Sequence, residues 1–401
     1  METARRWGAV LALTSALVGT AACGADNDAE AGESVYGLPL AEQFHAATEA
    51  TRKAGTAAFV STLTYGTTTG DAVQRTEGSL DYGRGTSLAA VSLTVDRRFH
   101  RTAAQFVGEP GTTVEQTLAT DGDDVYVRDG TSPWLRYTPE AVSGLGETTR
   151  AVAAHAAGDV APYSGTLADL VPRTIPRQEP ERQTDGSRLY RVTALAEVAA
   201  EILPPGLQTA EGGDPVELTV RLDSEGRLTE VTADLGPVLV GMHEENFLTG
   251  SIRSLRATYE LSAFGDPVRH KKPGKGVEDA LKALAPVGGL KAGQCAATDT
   301  GLGSNGVVRP VDCAESHDMR VLAQTEVDRT FPGDRAEKNG NEYADEQCRR
   351  AYDKAPAAWL RGAVRKDGFS YIGSSDTTVS VGAGKTETSV TGAYTCYVVT
   401  S

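Results

Sequence analysis

Between Val216 and Asp223, apolar Val216, Leu218, Val220 and Leu222 alternate strictly with Glu217, Thr219, Arg221 and Asp223. A period of two is that of a strand with one dry and one wet face, and a sheet of such strands has to bury its dry side under another layer. Similar apolar marks recur at Phe59, Val60 and Leu63, at Ala89, Val91, Leu93 and Val95, at Val125 and Val127, and from Leu189 to Val192. They return at Val231, Ala233 and Leu235, and at Leu255, Ala257, Tyr259, Leu261 and Ala263. Gly70-Asp71, Asp81 to Gly85, Asp121-Gly122-Asp123 and Asp223-Ser224-Glu225-Gly226 punctuate these runs, so the strands read as antiparallel hairpins.

The covering layer is legible as helices. Leu40, Phe44, Ala47 and Thr51 recur at helical spacing from Pro39 to Ala54, with Pro39 suited to the first turn and Gly55 to the stop. Thr138-Pro139-Glu140 opens a second helix that AVAAHAA extends to about Gly158, and shorter ones are expected at Thr166 to Val171 and Ala196 to Leu203. The fold class expected is α+β, an antiparallel sheet with its apolar face packed on helices.

At 401 residues and 40% hydrophobic content the chain is long enough for two cores. The formal net charge is −15, and from Leu290 onward thirteen Lys or Arg stand against fifteen Asp or Glu, so the acidity belongs to the first part. Such a chain lacks the basic footprint that phosphate backbones require, and anionic headgroups would repel it. Nucleic acid is not an expected partner, and contact with a membrane has to come from elsewhere.

The amino terminus supplies that contact. Arg5 and Arg6 precede an apolar run from Ala9 to Gly19, small Thr20, Ala21 and Ala22 come next, and then Cys23. This is the order of a secretory signal over residues 1–22, and its apolar run is too short to span a bilayer. It is open whether the chain is simply secreted after cleavage near Ala22 or keeps Cys23 for attachment. Cysteine after small residues resembles a bacterial lipobox, although Thr20 stands where leucine is usual. That resemblance implies a diacylglyceryl group on Cys23 and a place on the outer side of the cytoplasmic membrane. Residues 23–37, rich in Asp and Glu and without apolar period, then form a solvated tether.

The remaining cysteines, Cys295, Cys313, Cys348 and Cys396, form an even set outside the cytoplasm and read as two disulfides. Three connectivities are open. The favoured one joins Cys295 to Cys313 across neighbouring strands and Cys348 to Cys396 from a helix to the last strand. Zinc on Cys313, His317 and Cys348 lacks the paired spacing of such sites, so no metal is expected. Residues 266–289, which open with DPVRHKKPGKG, read as a solvated linker with a short helix from Val277 to Ala285.

Chemistry-bearing motifs are weak. Gly384-Lys385-Thr386 ends like a P-loop, but Val379 stands where its first glycine belongs, so it reads as a turn. His317 beside Asp318 reads as structural, since a disulfide at Cys313 removes the thiolate a nucleophile needs. His243-Glu244-Glu245 lacks a second histidine at i+4 and reads as a surface loop, and no G-x-S-x-G or S-x-x-K motif occurs. Neither an enzyme nor a cofactor is expected.

Two resemblances complete the reading. The amino-terminal helix ending in AGT before a strand, the segment DGDDVYVR with Trp134 after it, and VELTVRLDSEGRLTEV resemble the mycobacterial LppX and LprG lipoprotein family over about residues 38–265. The resemblance implies the fold of the carrier LolA, a half-barrel sheet over helices with an apolar cavity for acyl chains. Its lining would come from Phe59, Leu63, Val91, Leu93, Leu218, Val220 and Leu261 on the sheet and from Leu40 and Phe44 on the first helix. Residues 290–401 resemble the actinobacterial septum-formation-like family through Gly293-Gln294-Cys295, Val311-Asp312-Cys313 with His317, Phe331-Pro332-Gly333 and Cys348 in a helix. Where that family has Trp and then Gly before its last Cys, this chain has SVGAGKTETSVTGAYTC, which implies a differently shaped edge. Two functions are therefore expected of an envelope lipoprotein: holding a lipid or glycolipid, or docking an envelope protein, with septum formation as the setting.

Overall fold

The computed structural model describes residues 35–146, 166–203, 214–245, 251–298, 306–363, 368–382 and 385–400. The leader, Cys23, the tether before Val35, the AVAAHAA extension and Pro204-Pro205-Gly206 lie outside these residues.

After a 3₁₀ turn at Leu40–Glu42, helix α1 (Gln43–Lys53) turns Phe44, Ala47, Thr48 and Thr51 inward. The hydroxyls of Thr48 and Thr51 donate to the carbonyls of Phe44 and Ala47, which satisfies them inside the core. Gly55 ends the helix at φ +82°, in the left-handed region that glycine enters without steric cost. Strands β1 (Thr56–Thr67), β2 (Asp71–Asp81) and β3 (Thr86–Val95) continue as a meander, then α2 (Arg101–Val107), β4 (Thr113–Asp121), β5 (Asp124–Asp129) and β6 (Trp134–Tyr137). Helix α3 (Pro139–Leu145) is capped by Thr138, whose hydroxyl accepts from the Ala141 amide, and α4 (Leu167–Leu170) starts in a Thr166/Asp169 capping box. The chain continues through β7 (Glu181–Arg182), β8 (Arg188–Ala194), α5 (Ala196–Ala200), β9 (Val216–Leu222), β10 (Leu228–Asp234), α6 (Gly236–Glu245) and β11 (Ile252–Ser262). His243-Glu244-Glu245, expected in a loop, is therefore the last turn of α6.

These strands and a later one, β12 (Val277–Asp279), form a single sheet of twelve in the order β12-β6-β5-β4-β3-β2-β1-β11-β10-β9-β8-β7. All pairs are antiparallel except β12 with β6. The closure of β1 on β11, with Phe59 opposite Leu261 and Leu63 opposite Ala257, joins the two halves of the sheet at its centre. Alternation does not announce β2, because only Ala72 and Leu80 of it are buried. Its Gly78 is required by space, since a Cβ there would stand 2.2 Å from the Leu88 carbonyl oxygen. At the β9–β10 turn a Cβ on Gly226, at φ +78°, would come 2.6 Å from Val35, so the start of the described chain seats on a turn that only glycine fits.

Residues 266–289 are not a plain solvated linker. His270 places Nε2 2.9 Å from the Ser79 hydroxyl and Nδ1 3.2 Å from that of Thr86, and the Lys272 ammonium donates to Asp121 at 2.5 Å. The segment is thus a strap laid across β2, β3 and β4. Val277–Asp279, expected to begin a helix, is strand β12, and the helix shrinks to α7 (Ala280–Ala283), capped by Asp279.

The second sheet contains β13 (Ala285–Pro286), β14 (Cys295–Ala297), β15 (Val307–Val311), β16 (Met319–Pro332), β17 (Ser370–Gly382) and β18 (Lys385–Val399), ordered β13-β15-β14-β16-β18-β17. Helix α8 (Gly340–Lys354) starts in a reciprocal Asn339/Glu342 cap and covers one face. Disulfides join Cys295 to Cys313 and Cys348 to Cys396, the second tying α8 to β18. The two sheets pack together, for Val307 of β15 lies in one apolar cluster with Val125, Tyr137, Leu145 and Ala280, and Arg309 pairs with Glu278 at 2.5 Å. The chain is α+β, a helix-covered antiparallel sheet followed by a smaller disulfide-stapled one.

Candidate functional site: the covered face of the large sheet

Strand alternation and the β1–β11 closure put the apolar side chains of seven neighbouring strands on one face. Phe44, Phe59, Leu63, Leu218, Val220 and Leu261 are buried in a single cluster there, and Leu40 and Leu93 pack against it partly buried. Val91 is half-buried on the same side of β3 as buried Ala89 and Val95, though it is outside that cluster. Burying one Leu, Val or Phe side chain contributes about 1.5–3 kcal/mol, so this face dominates the stability of the first module.

Aromatic rings order the cluster. Phe44 meets Tyr190 edge-on at 5.1 Å, and Phe59 stacks with Tyr259 at 6.1 Å. The Tyr190 hydroxyl donates to Gln43 Oε1 at 2.6 Å, and the Thr51 hydroxyl accepts from the Leu228 amide at 2.8 Å, which pins α1 to the sheet. Burial raises the Tyr190 phenol to about 12, and burial alone pushes Tyr65 up as well, so both stay neutral. No Asp, Glu, Lys, Arg or His is buried among the described residues. The interior offers apolar walls, neutral hydroxyls and one amide, a lining suited to hydrocarbon and hostile to charge.

The cover over this face is made of short pieces, with α4 and α5 only four and five residues long. Helices of that length do not hold their own shape in water and exist here through packing. They also leave apolar side chains outside: Ile175 after α4, Leu195 at the start of α5 and Val240 on α6 are 63, 62 and 56% exposed. Sequence periodicity does not flag these three: Ile175 and Leu195 occur singly between polar or small neighbours, and Val240 follows buried Val238 and Leu239 in one apolar run.

Elsewhere the motif residues take structural places. His317 Nδ1 lies 2.8 Å from the Glu315 carbonyl oxygen, and the Asp318 carboxylate accepts from the amide and hydroxyl of Thr298. Cys313 and Cys348 are in disulfides and present no thiolate to a metal, and no group of three His, Cys, Asp or Glu among the described residues is placed to hold one. Lys385 and Thr386 begin β18, hydrogen-bonded across the hairpin to β17. No helix among the described residues is long and apolar enough to cross a membrane.

Fold and site define a protein whose uncharged, helix-covered sheet face is joined to a disulfide-stapled module. The family described as "Septum formation" matches residues 278–362, a span that starts in β12 and ends before β17. Among solved structures the chain is similar to LprF from Mycobacterium bovis, at 15% identity over 59% of this chain and 98% of that one, with a TM-score of 0.34. It is also similar to a DUF1329 family protein from Desulfovibrio piger, at 9% identity over 58% and 96%, with a TM-score of 0.23. No curated protein matches the chain.

Proposed function

We propose that this chain is a non-enzymatic lipoprotein of the cell envelope, anchored through Cys23, that holds the acyl part of a lipid or glycolipid between the large sheet and its helices. The observation that carries the reading is the broad, charge-free sheet face under a cover of short helices that leave Ile175, Leu195 and Val240 exposed. A carrier must replace about 0.8 kcal/mol of apolar contact for each CH₂ taken from a bilayer, and only a face lined along its length does so. The short helices α4 and α5 are the part of the cover that can move aside, while α1 is pinned to the sheet by its hydrogen bonds.

Leu93 is the position for a test, because it is on the face yet only partly buried and its loss leaves the centre of the core intact. The wild type should bind a fluorescent fatty acid, displaced by unlabelled lipid. Leu93→Asp should weaken that binding by at least about tenfold while retaining the circular dichroism of the wild type. Equal binding by the folded variant would remove β3 from the site.

A further inference from the structure

Among the described residues, three of the four sheet edges are minimal. The large sheet ends in β12 and β7, three and two residues long, and the small sheet ends on one side in β13, two residues long. The fourth edge is different. β17 runs for thirteen residues, and among the described residues it pairs only with β18. Natural edges of this length are blunted by lysine, proline or a bulge, because a free row of amide and carbonyl groups recruits another strand. SYIGSSDTTVSVG contains no Lys, Arg or Pro, its register with β18 is unbroken, and Val379 and Val381 are 49 and 79% exposed.

The two faces beside this edge differ in chemistry. Cross-strand rows Glu326–Ala393–Ser374, Asp328–Thr391–Asp376 and Pro332–Glu387–Ser380 share the face turned away from α8, and Glu326, Asp328, Asp376 and Glu387 are all exposed there. Among the described residues of β16, β17 and β18, Lys385 is the one basic residue on that face, at the hairpin tip. At the root of the face is a cavity of about 720 Å³, walled by Val287, Ile372, Ala393 and Thr395, in which Glu326 is the only charged residue. It fits a Lys or Arg side chain, with an apolar stem against Val287 and Ile372 and a cationic head at Glu326. The opposite face offers Val379 and Val381 to apolar side chains. An extended segment that alternates basic with apolar or β-branched residues matches both faces at once.

We propose that β17 is a docking edge to which a partner protein adds an extended segment, its lysines or arginines facing the Glu326/Asp328/Asp376 side and its apolar residues facing Val379 and Val381. A second copy of this chain fits less well. Pairing β17 with itself brings the Asp376 rows of two strongly acidic molecules together, and like charges across strands repel. The edge lies beyond the span that matches the septum-formation family. The inference stands whether or not the large sheet takes lipid.

The test uses the intact protein and a labelled ten-residue peptide alternating lysine with valine or threonine, read by fluorescence anisotropy. The wild type should bind it, and a peptide with glutamate in place of lysine should not bind. Methylating alternate backbone nitrogens of the lysine peptide leaves its charge and removes its ladder donors, and should weaken binding at least about tenfold. Val379→Lys/Val381→Lys, at exposed positions that leave the core untouched, should do the same, and Glu326→Gln should weaken binding several-fold. Equal binding of the methylated peptide would overturn the proposal in favour of plain charge attraction. So would no binding at all, or a wild-type dimer in sedimentation velocity that the double lysine variant dissolves, which would make the occupant a second copy.

Discussion

His270 shows how much a single side chain can hide from a sequence. In HKKPGKG it reads as part of a solvated basic run, yet its ring bridges Ser79 and Thr86, 191 and 184 residues away. No local pattern encodes such a contact, whereas Leu218 and Val220 declare their burial through their immediate neighbours. Burial pulls the His270 pKa down, against the opposing pull of Asp81, so the docked strap favours the neutral ring. An undocked histidine titrates near pH 6.5, about the unperturbed value. Docking is therefore full above that pH and weakens as the pH falls through it toward the lowered value, because the released strap binds the proton more readily. Hydrogen exchange of residues 266–276, corrected for intrinsic rate, should quicken between pH 7.5 and 5.5 in the wild type. In His270→Ala it should be fast at both pH values, and unchanged wild-type protection would contradict the assignment.

Elements were legible to the extent that one face of each was dry. β9, β10 and β11 alternate visibly because their inward residues are almost wholly buried, and α8 is marked by Cys348. β2 and β17 have few buried residues and so no contrast between faces, and β12 is too short for any period. The small sheet compensates for its modest core with its cross-links. A disulfide that closes a longer loop restrains the unfolded chain more, and Cys348–Cys396 spans 48 residues against 18 for Cys295–Cys313. On the chain-entropy argument their loss costs about 4 and about 3 kcal/mol. In denaturant unfolding monitored at the second module, Cys348→Ala/Cys396→Ala should therefore be the less stable of the two double variants. The reverse order would mean that the helix-to-strand link contributes little beyond the packing of α8 on β16 and β18.

At the scale of the whole molecule, the two modules are joined through β12, the Val307 cluster and the Arg309–Glu278 pair, and so present one continuous body. Eleven residues lie between Cys23 and Val35, which seats on the β9–β10 turn, so the proposed anchor on Cys23 would hold that end of the sheet within about 40 Å of the membrane. What the sequence could not separate is a packed core from a lipid cavity, because the same residues line both. Native mass spectrometry of the protein extracted from membranes and released from detergent makes the separation. The account predicts a covalent diacylglyceryl mass on the mature chain and, beyond it, a noncovalent lipid adduct that disappears in Leu93→Asp. A wild-type protein that carries no lipid other than its anchor would contradict it.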